Sequence, residues 1–137
     1  MEMFSRDELL AAAARPQLPY EAVEITLNGR TASVWVQGMS GTERDAWEKS
    51  LIRGRGKRRE VNTENVRAKL AAKCLVDKPG GARLFTDDQA ALLGNLPVAA
   101  LNPIFEKAQR LSGVSDDDID ELEKLSASEA GSDSPTS

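Results

Sequence analysis

At 137 residues the chain is sized for one domain, and its composition removes whole classes of chemistry. It contains no histidine, so it has no imidazole base, no His-based triad and no imidazole-ligated metal site, and its single cysteine, Cys74, lacks a disulfide partner within the chain. Charge is unevenly spread: residues 1–113 hold 17 Lys and Arg against 14 Asp and Glu, whereas residues 114–137 hold 1 against 8, an acidic appendage on a nearly neutral body.

Helix punctuation organises the chain. Ser5-Arg-Asp-Glu8 has the form of a capping box, with Phe4 and Leu9 at the two positions of a hydrophobic staple. The helix it opens runs through LLAAAAR and stops near Pro16. The period then changes to 2. Val23, Ile25 and Leu27, then Ala32, Val34 and Val36, alternate with polar residues on either side of Asn28-Gly29, which predicts antiparallel strands near 22–28 and 31–37. One hairpin is marginal in water, so its apolar face has to pack on helices or on another chain.

Ser40-Gly-Thr-Glu43 is a second box, opening a helix through Trp47 and Leu51 that ends at Gly54. Arg53, Arg55, Lys57, Arg58 and Arg59 then put five cations into seven residues, a basic loop. A helix is expected from about Thr63 to Val76, with Val66, Leu70 and Cys74 in i, i+4 succession, and Asp77-Lys-Pro-Gly-Gly81 reads as a turn. Thr86-Asp-Asp-Gln89 is a third box, leading through Leu92 and Leu93 to Leu96-Pro97. The 98–112 segment is helical by composition; Pro97 and Pro103 either sit in first turns or kink it. Ser115-Asp-Asp-Asp118 is a looser fourth box, stapled by Val114 and Ile119, for a helix at roughly 116–126. The expected fold is mainly α, of α+β type: one helical domain over 1–125 with a hairpin at about 22–37, and a disordered, acidic, Ser-rich tail over 126–137.

No segment has the form of a catalytic, cofactor or metal site. The acid cluster from Asp116 to Glu123 lacks the alternating ligands and central glycine of a calcium loop, and suits the first turn and solvated face of a helix. Gly54-x-Gly56 and Gly80-Gly81 match no phosphate-binding fingerprint. Cys74, Trp35 and Trp47 are expected in the core. No apolar run is long enough for a membrane span, and the N-terminus lacks a signal-peptide pattern, so a soluble intracellular protein is expected. With six aromatics and an acidic total, a nucleic-acid role is disfavoured; the basic stretch 53–59 better suits a solvated loop or an acidic protein partner.

The order of these pieces resembles one family. A short helix and a hairpin are followed by Gly38-Met-Ser-Gly-Thr-Glu-Arg44, by Cys74-Leu-Val-Asp77 with Gly81 and Leu84-Phe85-Thr-Asp-Asp88, and by Gln109-Arg-Leu-Ser-Gly113. Over about residues 5–125 this is similar to the tail assembly chaperones of long-tailed, siphovirus-type bacteriophages. The resemblance implies a non-enzymatic assembly factor in the host cytoplasm that needs no cofactor. Such a factor coats the tape measure protein, helps recruit the major tail tube protein, and is absent from the finished particle. The cationic loop 53–59 and the prolines at 97 and 103 depart from that pattern.

Two other readings compete: a structural tail or connector protein retained in the virion, and a small nucleic-acid-associated regulator using the basic loop. For the chaperone reading, the client surface is expected within 92–111: Leu92, Leu93, Leu96, Val98, Leu101, Ile104, Phe105 and Leu111 exceed what one buried stripe requires, and a chain broken at Pro97 and Pro103 is not expected to hold them all on one straight face. Leu92, Leu96, Leu101, Ile104 and Phe105 are the candidate contacts, and the alternative is the core or a homo-oligomer interface. The tail offers little apolar area against ordering entropy. Truncation after Lys124 is therefore expected to leave the melting temperature within a few degrees of the full chain.

Overall fold

The computed structural model describes residues 1–53, 60–61 and 66–121. The basic stretch between Arg53 and Arg59, the expected helix start near Thr63 and the tail beyond 126 lie outside the described residues. In chain order the elements are α1 (Arg6–Ala14), β1 (Tyr20–Leu27), β2 (Arg30–Gln37), α2 (Gly41–Lys49), β3 (Ile52–Arg53), β4 (Glu60–Val61), α3 (Val66–Cys74), β5 (Leu75–Val76), α4 (Ala90–Leu93) and α5 (Val98–Ser112). A further helix, α6, starts at 116 and runs through 121. The result is a small α+β domain, as expected.

Local chemistry explains most of the boundaries. The Ser5 and Ser40 hydroxyls accept from the backbone N–H of Glu8 and Glu43, and those glutamates accept from the serine N–H in return. Asp118 makes the same reciprocal pair with Ser115, although its side chain is one carbon shorter. The Thr86 segment starts only a 3-10 turn at Asp87–Gln89, with the Gln89 amide oxygen on the Thr86 N–H, before the single α-turn of α4. Helix α2 ends at Lys49, short of the expected Gly54. There the Ser50 hydroxyl donates to the Trp47 carbonyl and competes for the helical ladder.

The hairpin forms around Asn28-Gly29 as expected, with β1 starting two residues earlier and β2 one residue earlier than the pattern suggested. Asn28 (φ 53°) and Gly29 (φ 79°) alone form the turn, and the Leu27–Arg30 pair closes it. At the far end the Gly38 N–H reaches the Pro19 carbonyl at 2.8 Å, extending the ladder past Tyr20–Gln37. A third strand was not expected. Leu75 and Val76, assigned from sequence to the end of the helix beginning near Thr63, instead pair with Val36 and Trp35 as β5, giving the sheet order β1-β2-β5. Cys74-Leu75-Val76 is an apolar run compatible with either geometry, and the exposed hydrogen-bonding edge of β2 decides it. The Lys78–Gly81 turn, with Gly80 at φ 75°, then sends Arg83 back to bridge Val76. Ile52–Arg53 and Glu60–Val61 form a separate two-residue ladder.

α3 lies at the centre. Val66, Ala68, Leu70, Ala71, Ala72 and Cys74 are all buried, and the small alanines admit α5 and α4 at close range. α5 covers the sheet face that carries Val23, Ile25 and Val36, through Ala100, Ile104, Phe105 and Ala108. Trp47 and Leu51 bring α2 into the same core. Trp35, expected in the core, is 37% exposed instead. It alternates to the face opposite Val34 and Val36 and meets the Tyr20 ring edge-on at 5.8 Å.

One close approach pins these layers together. A Cβ on Gly38 would run into the carbonyl of Leu111 near the end of α5, with the Leu111 carbonyl carbon at 2.9 Å. Gly38→Ala is therefore expected to cost about 1–3 kcal/mol, read as a fall in the urea midpoint. Gly41→Ala, where a Cβ meets open space, is expected to leave stability within about 0.5 kcal/mol.

Candidate protein-binding surface

α5 decides which of the predicted client residues remain accessible. Pro97 occupies its N-cap position, and the Pro97 carbonyl accepts from the N–H of Ala100 and Leu101. Pro103 lies inside the helix, yet the helix runs on unbroken to Ser112. The expectation that two prolines would scatter the apolar residues is therefore corrected. Ala100, Ile104, Phe105 and Ala108 share one stripe at i, i+4, i+5 and i+8 and enter the core. Ile104 is 1% and Phe105 4% exposed, so neither belongs to a free surface; the Arg67 guanidinium closes over the Phe105 ring at 4.9 Å. Leu96 and Leu101 are half-buried against the same core.

Leu92 stands apart, 64% exposed on α4, because Ala90 and Leu93 take the inward positions of that single turn. Val98, 69% exposed, was counted in the apolar excess but not among the candidate contacts. It lies two residues before Ala100, roughly 200° around the helix from the buried stripe, so the helical period alone could have found it. A second apolar surface is α1. Phe4, Leu9 and Leu10 are 78%, 58% and 51% exposed, and no residue of this helix is buried. Of the basic patch, Arg53 belongs to β3, and Arg55, Lys57, Arg58 and Arg59 lie outside the described residues.

Ion pairs fasten the elements around this surface. Glu21 on β1 accepts from Lys107 Nζ at 3.2 Å and Arg110 Nη2 at 2.8 Å on α5. The Lys107 hydrogen bond, with Arg110 beside it, outweighs partial desolvation and holds the Glu21 carboxyl below its ordinary value. Arg83 folds back to give the Ala72 carbonyl two hydrogen bonds, 3.1 and 3.0 Å, and pairs with Asp87 at 2.9 Å; Lys73 reaches the other oxygen of Asp87 at 3.2 Å. Burial raises the Asp87 carboxyl, but the hydrogen bonds from Arg83 and Lys73 more than offset it and the net shift is downward. Asp118 is lowered chiefly by the Ser115 N–H. Burial pushes the Cys74 thiol up to about 11, only partly offset by the Ser112 hydroxyl at 3.5 Å. Such a thiol is a packing group rather than a nucleophile.

Among the described residues no cluster of three acidic or cysteine side chains is placed to hold a metal ion, and no helix is long and apolar enough to cross a membrane. Comparison with family models, curated proteins and solved structures returned no match to this chain.

Two solution measurements follow from the charges. Glu21, Asp87 and Asp118 all have folded-state carboxyls below their ordinary values of 4.5, 3.8 and 3.8. Their stabilisation is present in full above that range and is lost as pH falls through the lowered folded values. The urea midpoint is expected to fall with acidification below about pH 5, less steeply in Glu21→Gln. Cys74 is expected to resist thiol reagents in the folded protein at pH 8 and to react promptly in 6 M guanidinium.

Proposed function

We propose that the protein is a non-enzymatic assembly chaperone of a long-tailed phage, which holds the tape measure protein and helps recruit tail tube subunits. The order of segments over about 5–125 supports that reading. The observation that carries it is the exposed apolar surface of Leu92 and Val98 together with an N-terminal helix that buries none of Phe4, Leu9 and Leu10. Isolated helices shorter than about 12–15 residues are marginal in water, and α1 has nine. Its capping box supports the helix by about 1 kcal/mol, so the remaining stabilisation of an apolar nine-residue helix has to come from something it docks against.

The test is co-purification with the tape measure protein from a common expression host. Leu92→Glu with Val98→Glu, and separately Leu9→Glu with Leu10→Glu, are expected to lower capture tenfold or more while circular dichroism and melting temperature stay near native, because the replaced side chains are solvent-facing. Phe105→Glu is the contrast and is expected to unfold the protein. Unchanged capture by both double variants would overturn the assignment of the surface. Finding the protein in purified virions by mass spectrometry would replace the chaperone reading with that of a retained structural component.

A further inference from the structure

β1 is an outer strand of its sheet, with its eight residues paired to β2 in unbroken register and no bulge. The ladder fixes which backbone groups remain outside it. The two-residue turn closed by Leu27–Arg30 and the Gly38-to-Pro19 hydrogen bond place the C=O of Pro19, and both the N–H and C=O of Glu21, Val23, Ile25 and Leu27, toward β2. The groups of Ala22, Glu24 and Thr26 therefore point away from the sheet, toward an edge that no other strand among the described residues covers. Natural edges are commonly blunted by proline, lysine or a bulge. Residues 20–27 contain none of these, and Glu24 is the one charged side chain there not turned onto α5.

Beside this edge runs a groove of about 450 Å³, lined by Ala22, Val23 and Glu24 on the strand and Pro103, Glu106, Lys107 and Arg110 on α5. Lys107 and Arg110 are committed to Glu21, whereas neither Glu24 nor Glu106 has an ion-pair partner among the described residues. We infer that this edge accepts an extended segment of a partner protein as an added antiparallel or parallel strand, with small apolar side chains toward the α5 groove and a lysine or arginine opposite Glu24.

Dimension selects this occupant over a second copy of the chain. An added strand lies about 4.8 Å from β1, whereas packed helices need roughly 8–10 Å between axes. α5 sits over β1 more than over β2, so a copy pairing through its own β1 would drive its α5 into this one. A bare strand meets no such obstacle. The inference does not rest on the chaperone reading, and its probe involves no phage protein.

That probe is a capped octapeptide of alternating valine and lysine, compared with its valine–glutamate counterpart. The lysine peptide is expected to slow amide hydrogen exchange at Ala22, Glu24 and Thr26, leaving the already paired Val23 and Ile25 unchanged, and the glutamate peptide is expected to bind roughly three- to tenfold more weakly. Glu24→Pro removes an outward donor without touching the β1–β2 ladder and is expected to weaken the lysine peptide roughly three- to tenfold. Should that variant fail to fold, Glu24→Lys keeps the backbone intact and has to reverse the preference between the two peptides. Equal binding of both peptides to the native protein, no protection at the three amides, or protection at them from self-association without peptide would each overturn the assignment.

Discussion

The rest of the fold depends on how the chain leaves the sheet. At Gly38, just past the end of β2, the backbone passes so close to the Leu111 carbonyl that no side chain fits between them. The next residue, Met39, donates its N–H to the Ser112 hydroxyl at 3.0 Å, and that hydroxyl also meets the Cys74 sulfur at 3.5 Å. Ser40 then caps α2. Three consecutive residues thus tie the sheet, the ends of α3 and α5, and the start of α2 into one joint. Helix C-termini leave carbonyls unpaired, and Gly113 at φ 71° turns the chain so that its own N–H and that of Val114 return to Arg110 and Gln109. With those groups satisfied within the turn, Ser112 is left to serve Met39.

Leu70, Ile104 and Phe105 fill the wider parts of the core around this joint. Where helices approach closely, small side chains are needed between them. Ala68, Ala71, Ala72 and Cys74 meet that demand on α3, and Ala100 and Ala108 meet it on α5. The buried thiol fits the same account. Its raised pKa follows from the dry environment that a four-element junction produces, and its place beside Ser112 follows from geometry rather than from reactivity.

What was legible in the sequence was local. Capping boxes act within four residues and a two-residue turn within four, so Ser5, Ser40, Ser115 and Asn28-Gly29 could be read without knowing the fold. β5 could not, because Leu75 and Val76 become a strand only when Trp35 and Val36, some forty residues away, present an unpaired edge. Ile104 and Phe105 were placed on the surface for a related reason. Proline was weighed as a local breaker at 103, but burial of Ile104 and Phe105 against the sheet and α3 outweighs one lost helical hydrogen bond. Val98 was separable from the core by helical phase, once the helix was allowed to continue through Pro103.

The first and last capping boxes then show where local information stops. Val114 and Ile119 flank the last box and are both buried, at 3% and 4% exposure, so their staple is also part of the core. Phe4 and Leu9 flank the first box in the same positions, with the same reciprocal hydrogen bonds, and both face solvent. The code that starts a helix is therefore indifferent to what the helix covers. α6 follows α5 after three residues and is carried onto the body by that short connection, whereas α1 is separated from β1 by a segment bearing Pro16 and Pro19. Proline at these positions holds its neighbours extended and keeps the helix from continuing into the strand. An apolar helix can thus be specified entirely by its own sequence and still be spaced away from its own core, with Leu9 and Leu10 left in solvent.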